Sequence, residues 1–375
     1  MKCKYSKYCG GCDDIELNYD EHLENKITAL QDIFQKITDK EISEVIKNYY
    51  PLKYRNKIHL AFTELKGKTL IGFFEENSTK VVDINECMLF GDWAKILIEI
   101  LREYVSRFKL RAYKDGVGIL RYAHARCIDN RLQLTLVVTT DNFAGRSWLY
   151  NKLCSNFNDV SFYLNINRRT DRAVFDNRFK YVNGNKYLEF EIMGLKVNLT
   201  PSSFLQVNLP VAIKMYKKAN ELLEISSDTT VIDLYSGIGI TSMMFAKTAK
   251  QVFSIEEVES AVQNAKYMAK INNLHNINII QGKCEDSLAK IKSDNLGDVV
   301  VFVDPARAGL DRSVIDYIKN LNPRKIVYMS CNPETCVSDC KILLSDNKYT
   351  MSNIIAGDMF PYTKHIETIV CMQKA

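Results

Sequence analysis

The spacing of apolar residues predicts a mixed architecture for the first half of the chain. Apolar residues three and four positions apart predict helices over residues 19–37 and 93–108. Apolar runs bounded by turn residues predict strands over 57–83, with a turn at 66–68. Further strand candidates are 118–122, 132–139, 161–167 and 190–199. We expect these elements to form a small α+β domain with hairpins.

The second half changes to strands that alternate with helical stretches. Its predicted strands are 230–235, 251–256, 277–281, 298–304 and 325–331. The uninterrupted apolar run 299–303 suits a strand that is covered on both faces. The alternation predicts an α/β fold, a doubly wound Rossmann-like parallel sheet. Because ligands of such sheets bind at the carboxyl ends of the strands, polar residues at those ends are the candidate chemistry.

A glycine turn follows the first of these predicted strands. Gly237 and Gly239 allow the backbone to turn tightly and to approach a bound molecule. Glu256, which ends the next predicted strand, can accept hydrogen bonds from a ribose diol. The turn matches neither the full dinucleotide fingerprint nor a P-loop. It is typical of S-adenosylmethionine binding, although an ordinary βα turn with a solvent-facing Glu256 remains the alternative.

Three further strand ends carry groups that could act on a carbon atom. Asp304 and Arg307 follow the fourth predicted strand, Cys331 ends the fifth, and Glu367 opens the last apolar run. A thiolate can add to C6 of a pyrimidine, so that C5 attacks an activated methyl group and a base then removes the C5 proton. Glu367 is the candidate base, and Asp304 could accept from the ring N–H. The alternative for Cys331 alone is a buried structural cysteine.

A cysteine cluster lies at the amino terminus. Cys3, Cys9 and Cys12 fall within ten residues, and Cys87 is a candidate fourth thiol. Four thiolates suit either zinc or a [4Fe–4S] cluster, and their spacing does not separate the two. The spacing differs from that of radical S-adenosylmethionine enzymes. Unliganded thiols are the remaining alternative.

Five short stretches together resemble the RNA (uracil-5-)-methyltransferase family. They are 203–208, 233–239, 304–309, 330–333 and the ending His365-x-Glu367. The resemblance implies a class I methyltransferase domain with S-adenosylmethionine contacts from Gln206, Tyr235, Glu256 and Asp304. It further implies Cys331 as nucleophile, Glu367 as base and Phe204 near the target base. The run 334–339 departs from the family pattern, because it lacks the usual arginine.

The cysteine stretch resembles the same family, which implies a [4Fe–4S] cluster held by Cys3, Cys9, Cys12 and a distant ligand, for which Cys87 is the candidate. Members with an extra barrel module, called TRAM, carry dozens of residues before the first cysteine. Since Cys3 is almost the first residue here, the resemblance implies the branch without TRAM, which acts on 23S ribosomal RNA. We expect an iron–sulfur and RNA-binding domain over 1–14 and 47–198, and a methyltransferase domain over 15–46 and 199–375.

Composition adds limits on size, location and partners. A chain of 375 residues is longer than single cores usually grow, which favours two domains. It has neither an apolar run of about 20 residues nor a secretory signal, so we expect a cytoplasmic protein without a membrane partner. The net charge of +5 permits an anionic partner without requiring one.

Three runs that mix cations, aromatics and amides are candidate RNA contacts. They are 53–57, the group Arg121, Tyr122, His124 and Arg126, and 165–172 with Arg168, Arg169 and Arg172. Cations bind phosphates and aromatic rings stack on bases, although each run could be a solvated charged face. Because C5 methylation needs an unstacked base, we expect a loop of 23S ribosomal RNA as the partner, and no DNA.

Three other functions stay open. A tRNA uridine-C5 methyltransferase would use the same chemistry, and the cysteine cluster argues modestly against it. A cytosine-C5 methyltransferase normally presents Pro-Cys, whereas this chain has Ser330-Cys331-Asn332-Pro333. A non-catalytic iron–sulfur protein that binds RNA or assists assembly is the third, and the presence of both Cys331 and Glu367 argues against it.

Overall fold

The computed structural model describes residues 2–169, 171, 173–291 and 296–375, and Arg172 therefore lies outside the described residues. The chain forms two compact units, and each is discontinuous in sequence. The first unit comprises Met1–Asn18, Tyr50–Phe190 and Asn198–Pro201. The second comprises Tyr19–Tyr49, Glu191–Val197 and Ser202–Ala375.

The helices and strands of the described residues are numbered here in chain order. The helices are α1 (Tyr19–Phe34), α2 (Asp92–Arg107), α3 (Arg146–Cys154), α4 (Leu209–Leu223), α5 (Ile240–Ala246), α6 (Glu259–Ile271), α7 (Cys284–Ser287), α8 (Arg312–Leu321) and α9 (Pro333–Leu344). The first ten strands are β1 (Glu44–Ile46), β2 (Lys57–Leu65), β3 (Lys68–Phe74), β4 (Val81–Asp83), β5 (Leu120–Ile128), β6 (Arg131–Val138), β7 (Asp159–Ile166), β8 (Phe179–Gly184), β9 (Leu188–Ile192) and β10 (Leu195–Leu199). The others are β11 (Thr229–Leu234), β12 (Gln251–Glu256), β13 (Ile277–Gln281), β14 (Asp298–Val303), β15 (Lys325–Ser330), β16 (Tyr349–Gly357) and β17 (Glu367–Lys374).

The first unit is built on one sheet with the strand order β4-β3-β2-β5-β6-β7-β8. Its neighbouring strands are antiparallel except β6 and β7, which α3 connects as a parallel pair. The predicted turn at 66–68 is confirmed, because Lys66 and Gly67 both have positive φ, at 50° and 75°. The prediction of one strand over 190–199 is wrong. β9 and β10 form a hairpin there, since Met193 and Gly194 adopt left-handed φ of 52° and 68°.

The second unit has a sheet with the order β1-β16-β17-β15-β14-β11-β12-β13 among the described strands. The predicted α/β fold is confirmed, with helices between the parallel strands β11 to β15. The sheet is mixed rather than wholly parallel, because β17 pairs antiparallel with both β15 and β16. Strand β14 is buried almost throughout, as its apolar run predicts. In the described parts of the chain, no helix has the length and hydrophobicity to cross a bilayer.

Candidate active site

A cavity of about 1040 Å³ opens within the second unit, at the carboxyl edge of its parallel strands. Small-molecule sites typically span about 300–1,000 Å³, so this cavity has room for a nucleoside cofactor together with part of a second substrate. The structure brings together in its wall all six of the catalytic and cofactor-binding residues that the sequence predicts for this half. They are Gln206, Tyr235, Glu256, Asp304, Cys331 and Glu367.

The glycine turn between β11 and α5 faces this cavity. Gly237 has a left-handed φ of 57°, and a Cβ built on it would meet no atom within 4 Å, so conformation and not crowding explains the glycine. Its N–H donates to Glu256 Oε2 at 2.9 Å, and the N–H of Val258 donates to Glu256 Oε1 at 2.8 Å. Both carboxylate oxygens of Glu256 are therefore held in place at the rim, where they can accept hydrogen bonds from a ribose.

Asp233, at the start of the same motif, lies beneath the turn. It is fully buried, and Thr241 and Ser242 of α5 both donate to its Oδ2. Burial raises the pKa of Asp233 to about 7, and the nearby Glu256 adds to the rise. Asp233 thus ties the glycine turn to the first turn of α5, and it does not line the cavity.

Two carboxyl groups at the cavity are strongly desolvated. Desolvation raises the pKa of Asp304 to about 7, with a further contribution from Asp233. Glu367 is 2% exposed, and desolvation raises its pKa to about 8. Asp304 raises the pKa of Glu367 further, whereas Arg307 and Lys26 lower it. Glu367 Oε2 has no hydrogen-bond partner among the described residues, which leaves one oxygen able to accept a proton.

Cys331 reaches the cavity because β15 ends at Ser330 and α9 begins at Pro333. The thiol is half-buried, whereas Cys336 and Cys340 on α9 are fully buried. Desolvation and the carboxyls of Glu367 and Asp304 raise the pKa of Cys331, and Arg307 opposes them. The thiol form of Cys331 therefore dominates at neutral pH.

Glu367 meets Cys331 because of the strand direction. Since β17 is antiparallel to β15, its first residues lie beside the last residues of β15, and Thr368 pairs with Ser330. The start of β17 therefore falls at the same edge of the sheet as the carboxyl ends of the parallel strands.

Other residues at the cavity make contacts that the sequence pattern did not reveal. Arg307 Nη2 lies 2.9 Å from His365 Nδ1 and must donate, because a guanidinium has only donors. That contact leaves the proton of a neutral His365 on Nε2. The carbonyl of Arg307 accepts from Asn332 Nδ2 at 2.9 Å, so Asn332 holds the arginine loop. Phe360 also lines the cavity, and its position in an irregular loop gave no periodic signal.

A second, smaller cavity lies in the first unit, and its lining includes the predicted metal ligands. Cys3, Cys9, Cys12 and Cys87 border a space of about 60 Å³ together with Arg55, and none of the four forms a disulfide. Burial raises the pKa of Cys12 to about 12 and that of Cys87 to about 11, neighbouring thiols add to both, and Arg55 opposes them. Among the described residues, no group of three or more His, Cys, Asp or Glu side chains is placed to hold a metal ion.

Several of the predicted RNA contacts are buried or make contacts within the protein. Arg126 and His124 are only 3% and 6% exposed, so neither presents its charge or ring to the surface. Arg121 donates from Nη1 to the carbonyl of Asn167 at 3.1 Å, which fixes the turn after β7. The amino group of Lys53 remains at the surface and pairs with Asp92 at 2.8 Å.

Comparison with known proteins agrees with these features. The family model for tRNA (Uracil-5-)-methyltransferase matches residues 18–375. An RNA methyltransferase of Caldanaerobacter subterraneus is 31% identical over 99% of this chain and 84% of its own length. Another, from Listeria monocytogenes, is 32% identical over 98% of this chain and 82% of its own.

Among solved structures, the chain is similar to the tRNA (uracil-54, C5)-methyltransferase of Pyrococcus abyssi, crystallised in complex with S-adenosyl-L-homocysteine. The TM-score is 0.80 and the identity 29%, over 97% of this chain and 86% of that one. The resemblance carried by the sequence motifs is thereby confirmed. The chain belongs to the tRNA (uracil-5-)-methyltransferase family.

Proposed function

We propose that this protein transfers the methyl group of S-adenosylmethionine to C5 of a uridine in a loop of 23S ribosomal RNA, through a transient bond between Cys331 and C6. The observation that carries the proposal is the meeting of Cys331, Asp304 and Glu367 in one cavity with the glycine turn. These groups match the needs of the reaction, which are a nucleophile, a base and a place for a nucleoside cofactor.

The residues present fit the cofactor. Glu256, with both oxygens already oriented, would bind the ribose, while Gln206, Tyr235 and Asp304 would contact the rest of the molecule. The desolvated carboxyls of Asp304 and Glu367 favour a cation beside them, and the sulfonium carries a positive charge. Bound there, S-adenosylmethionine supplies the electrophilic methyl group.

The protein's own groups perform the remaining steps. The Cys331 thiolate forms a bond to C6, and the electron pair of the C5–C6 double bond becomes available at C5 for methylation. Glu367 Oε2 then accepts the proton from C5. As that C–H bond breaks, the C5–C6 double bond forms again and the bond between C6 and sulfur is broken, which returns the thiolate.

The choice between ribosomal and transfer RNA is the finer part of the proposal. The four cysteines around one cavity resemble the iron–sulfur branch that acts on 23S ribosomal RNA. The similarity to the Pyrococcus abyssi enzyme, which acts on tRNA, favours the second candidate.

Incubation with labelled S-adenosylmethionine and equal amounts of deproteinised 23S ribosomal RNA and tRNA tests the choice directly. We expect the label to appear as 5-methyluridine in the ribosomal RNA. Single-stranded DNA of the same sequence is the control and should receive no label. Label in tRNA alone would exclude the ribosomal substrate. If protein that contains the cluster labels neither RNA, the proposed methyltransferase activity is excluded.

For the first unit we propose that Cys3, Cys9, Cys12 and Cys87 hold a [4Fe–4S] cluster. The cluster spreads its four thiolates over four irons, so its ligands lie farther apart than those of one zinc ion. Four thiols that border one cavity suit such a spread of ligands. Arg55, at the same cavity, would offset the negative charge of the thiolates.

Anaerobically prepared protein is expected to contain about four irons and a broad visible absorption band. Cys87→Ser should lose most of the iron and the band, because one of four ligands is removed. Cys127→Ser, a buried cysteine of the same unit outside the cavity, is the matched control and should keep both. A colourless protein that contains zinc would refute the cluster.

A further inference from the structure

Helix α1 contributes a buried lysine that binds the loop between β16 and β17. Lys26 Nζ lies 2.6 Å from Asp358 Oδ1, and the two side chains are 5% and 0% exposed. The same amino group donates to the carbonyl oxygen of Phe360 at 3.2 Å. Lysine is almost never buried without a partner, so this contact is a specific feature of the loop.

The network continues through a second side chain of the helix. The hydroxyl of Tyr19 donates to Asp358 Oδ2 at 2.9 Å and accepts from the N–H of Asn48 at 3.1 Å. The N–H of Asp358 donates to the carbonyl of Ile46 at 3.0 Å. Helix α1 and the segment after it therefore hold both oxygens and the backbone of Asp358.

The rest of the loop is also held in one conformation. The N–H and the hydroxyl of Thr363 both donate to the carbonyl of Phe360, at 3.1 Å and 2.9 Å. Tyr362 has a left-handed φ of 63°, and its ring stacks on His22 of α1 with centroids 5.6 Å apart. A non-glycine residue keeps such a conformation only where its surroundings impose it.

This loop carries part of the cavity wall. Phe360 and His365 line the cavity beside Cys331, and Glu367 follows directly after the loop. Replacing a buried ion pair by apolar residues is often neutral or stabilising, so stability by itself explains the pair poorly. The ion pair between Lys26 and Asp358 is better explained by its place in a loop that forms part of the cavity wall.

We propose that Lys26 is a positioning residue of the active site, which fixes the loop that carries Phe360 and His365 and leads into Glu367. The inference rests on the proposed function, because it takes Glu367 as the base. It extends that function to α1, a helix that lies more than 300 residues away in sequence from the base.

The charged and titratable groups around Glu367 come from several elements. Asp304, at the end of β14, raises its pKa, while Arg307, in the loop that follows, lowers it. Cys331 comes from the end of β15, and Tyr216 from α4. Lys26, from α1, is the second cation that lowers the pKa of Glu367. Without it, the pKa should rise above the present value of about 8.

The direction of the pH effect follows. Glu367 must be ionised to take the C5 proton from the methylated adduct, so the rate at which free methylated RNA is released falls as the pH drops below the pKa of Glu367. The acid limb of the pH profile is the range in which the rate falls with decreasing pH. In Lys26→Met this acid limb should move to higher pH. Each unit of pKa rise lowers the ionised fraction, and with it the rate below the pKa, about tenfold.

Single-turnover release of free methylated RNA from pH 6 to pH 10, together with S-adenosylmethionine binding, tests the inference. Lys26→Met is expected to release this product more slowly at neutral pH, with the acid limb of the pH profile displaced to higher pH and cofactor affinity unchanged. Lys26→Arg keeps the charge and should leave the limb near its wild-type pH. Lys348→Met, which removes an exposed amino group paired with Asp346, is the matched control and should resemble wild type.

Tyr19→Phe removes a contact that holds the loop and leaves the charge of Lys26 in place. It is also the variant to measure if Lys26→Met does not fold. Loss of its hydroxyl should lower the rate while the acid limb stays in place. Wild-type rate and pH profile in folded Lys26→Met would overturn the inference and leave the proposed function intact. An inactive wild-type protein would instead overturn the proposed function.

Discussion

Cys331→Ala is expected to abolish methyl transfer to RNA, with a fall of at least about 10³-fold. C5 of uracil is a poor nucleophile, and the bond between sulfur and C6 is what makes its electron pair available. Without the thiol, no other described side chain of the cavity combines a nucleophilic sulfur with the position beside Glu367. The loss should therefore appear in the chemical step and not in cofactor binding.

Two measurements distinguish this outcome from misfolding. S-adenosylmethionine should bind Cys331→Ala as tightly as wild type, because the predicted cofactor contacts remain intact. Cys154→Ala, an exposed cysteine on α3, is the matched control and should transfer methyl groups at the wild-type rate. If folded Cys331→Ala retains a rate within about tenfold of wild type, the covalent mechanism is wrong.

The sequence predicts which residues lie together at this cavity where local pattern and topology coincide, and their roles stay predictions. Predicted strands 251–256 and 277–281 have the same bounds as β12 and β13. Because the carboxyl ends of parallel strands share one edge, Glu256, Asp304 and Cys331 could be expected to converge. Their distances apart in sequence did not matter, since the sheet fixes the neighbourhood.

Glu367 illustrates what periodicity could not supply. It opens its strand instead of closing one, and it joins the site only because β17 runs antiparallel to β15. Strand direction depends on the whole sheet, and a stretch of a few residues does not show whether its strand will be parallel or antiparallel. The sequence pattern showed only that Glu367 opens an apolar run, and the family resemblance implied its role as base.

The burial of charged and titratable side chains was also not predicted from the sequence. Arg126 and His124 looked like surface cations and proved buried, while Lys26 sits on the buried face of an amphipathic helix. Sequence reasoning expects long charged side chains to be solvated, since isolated charges are costly to bury. The buried partner of Lys26 is Asp358, which lies more than 300 positions away in sequence. No local pattern reveals such a partner.

Glu367→Gln is expected to accumulate a covalent complex between protein and RNA. The amide cannot accept the C5 proton, so the methylated adduct cannot expel Cys331. The rate of product release should fall about 10²- to 10⁴-fold, the usual contribution of a general base. Denaturing electrophoresis with labelled RNA and S-adenosylmethionine should show a shifted band in this variant and little of it in wild type.

The double variant Cys331→Ala, Glu367→Gln is the matched control and should give no shifted band, because it cannot form the bond to C6. Free methylated RNA at the wild-type rate from Glu367→Gln would mean that another group removes the proton. The structure argues against such a substitute. Glu367 is 2% exposed, so bulk water has little access to its position. With water largely excluded, the adduct should persist once the proton has no acceptor.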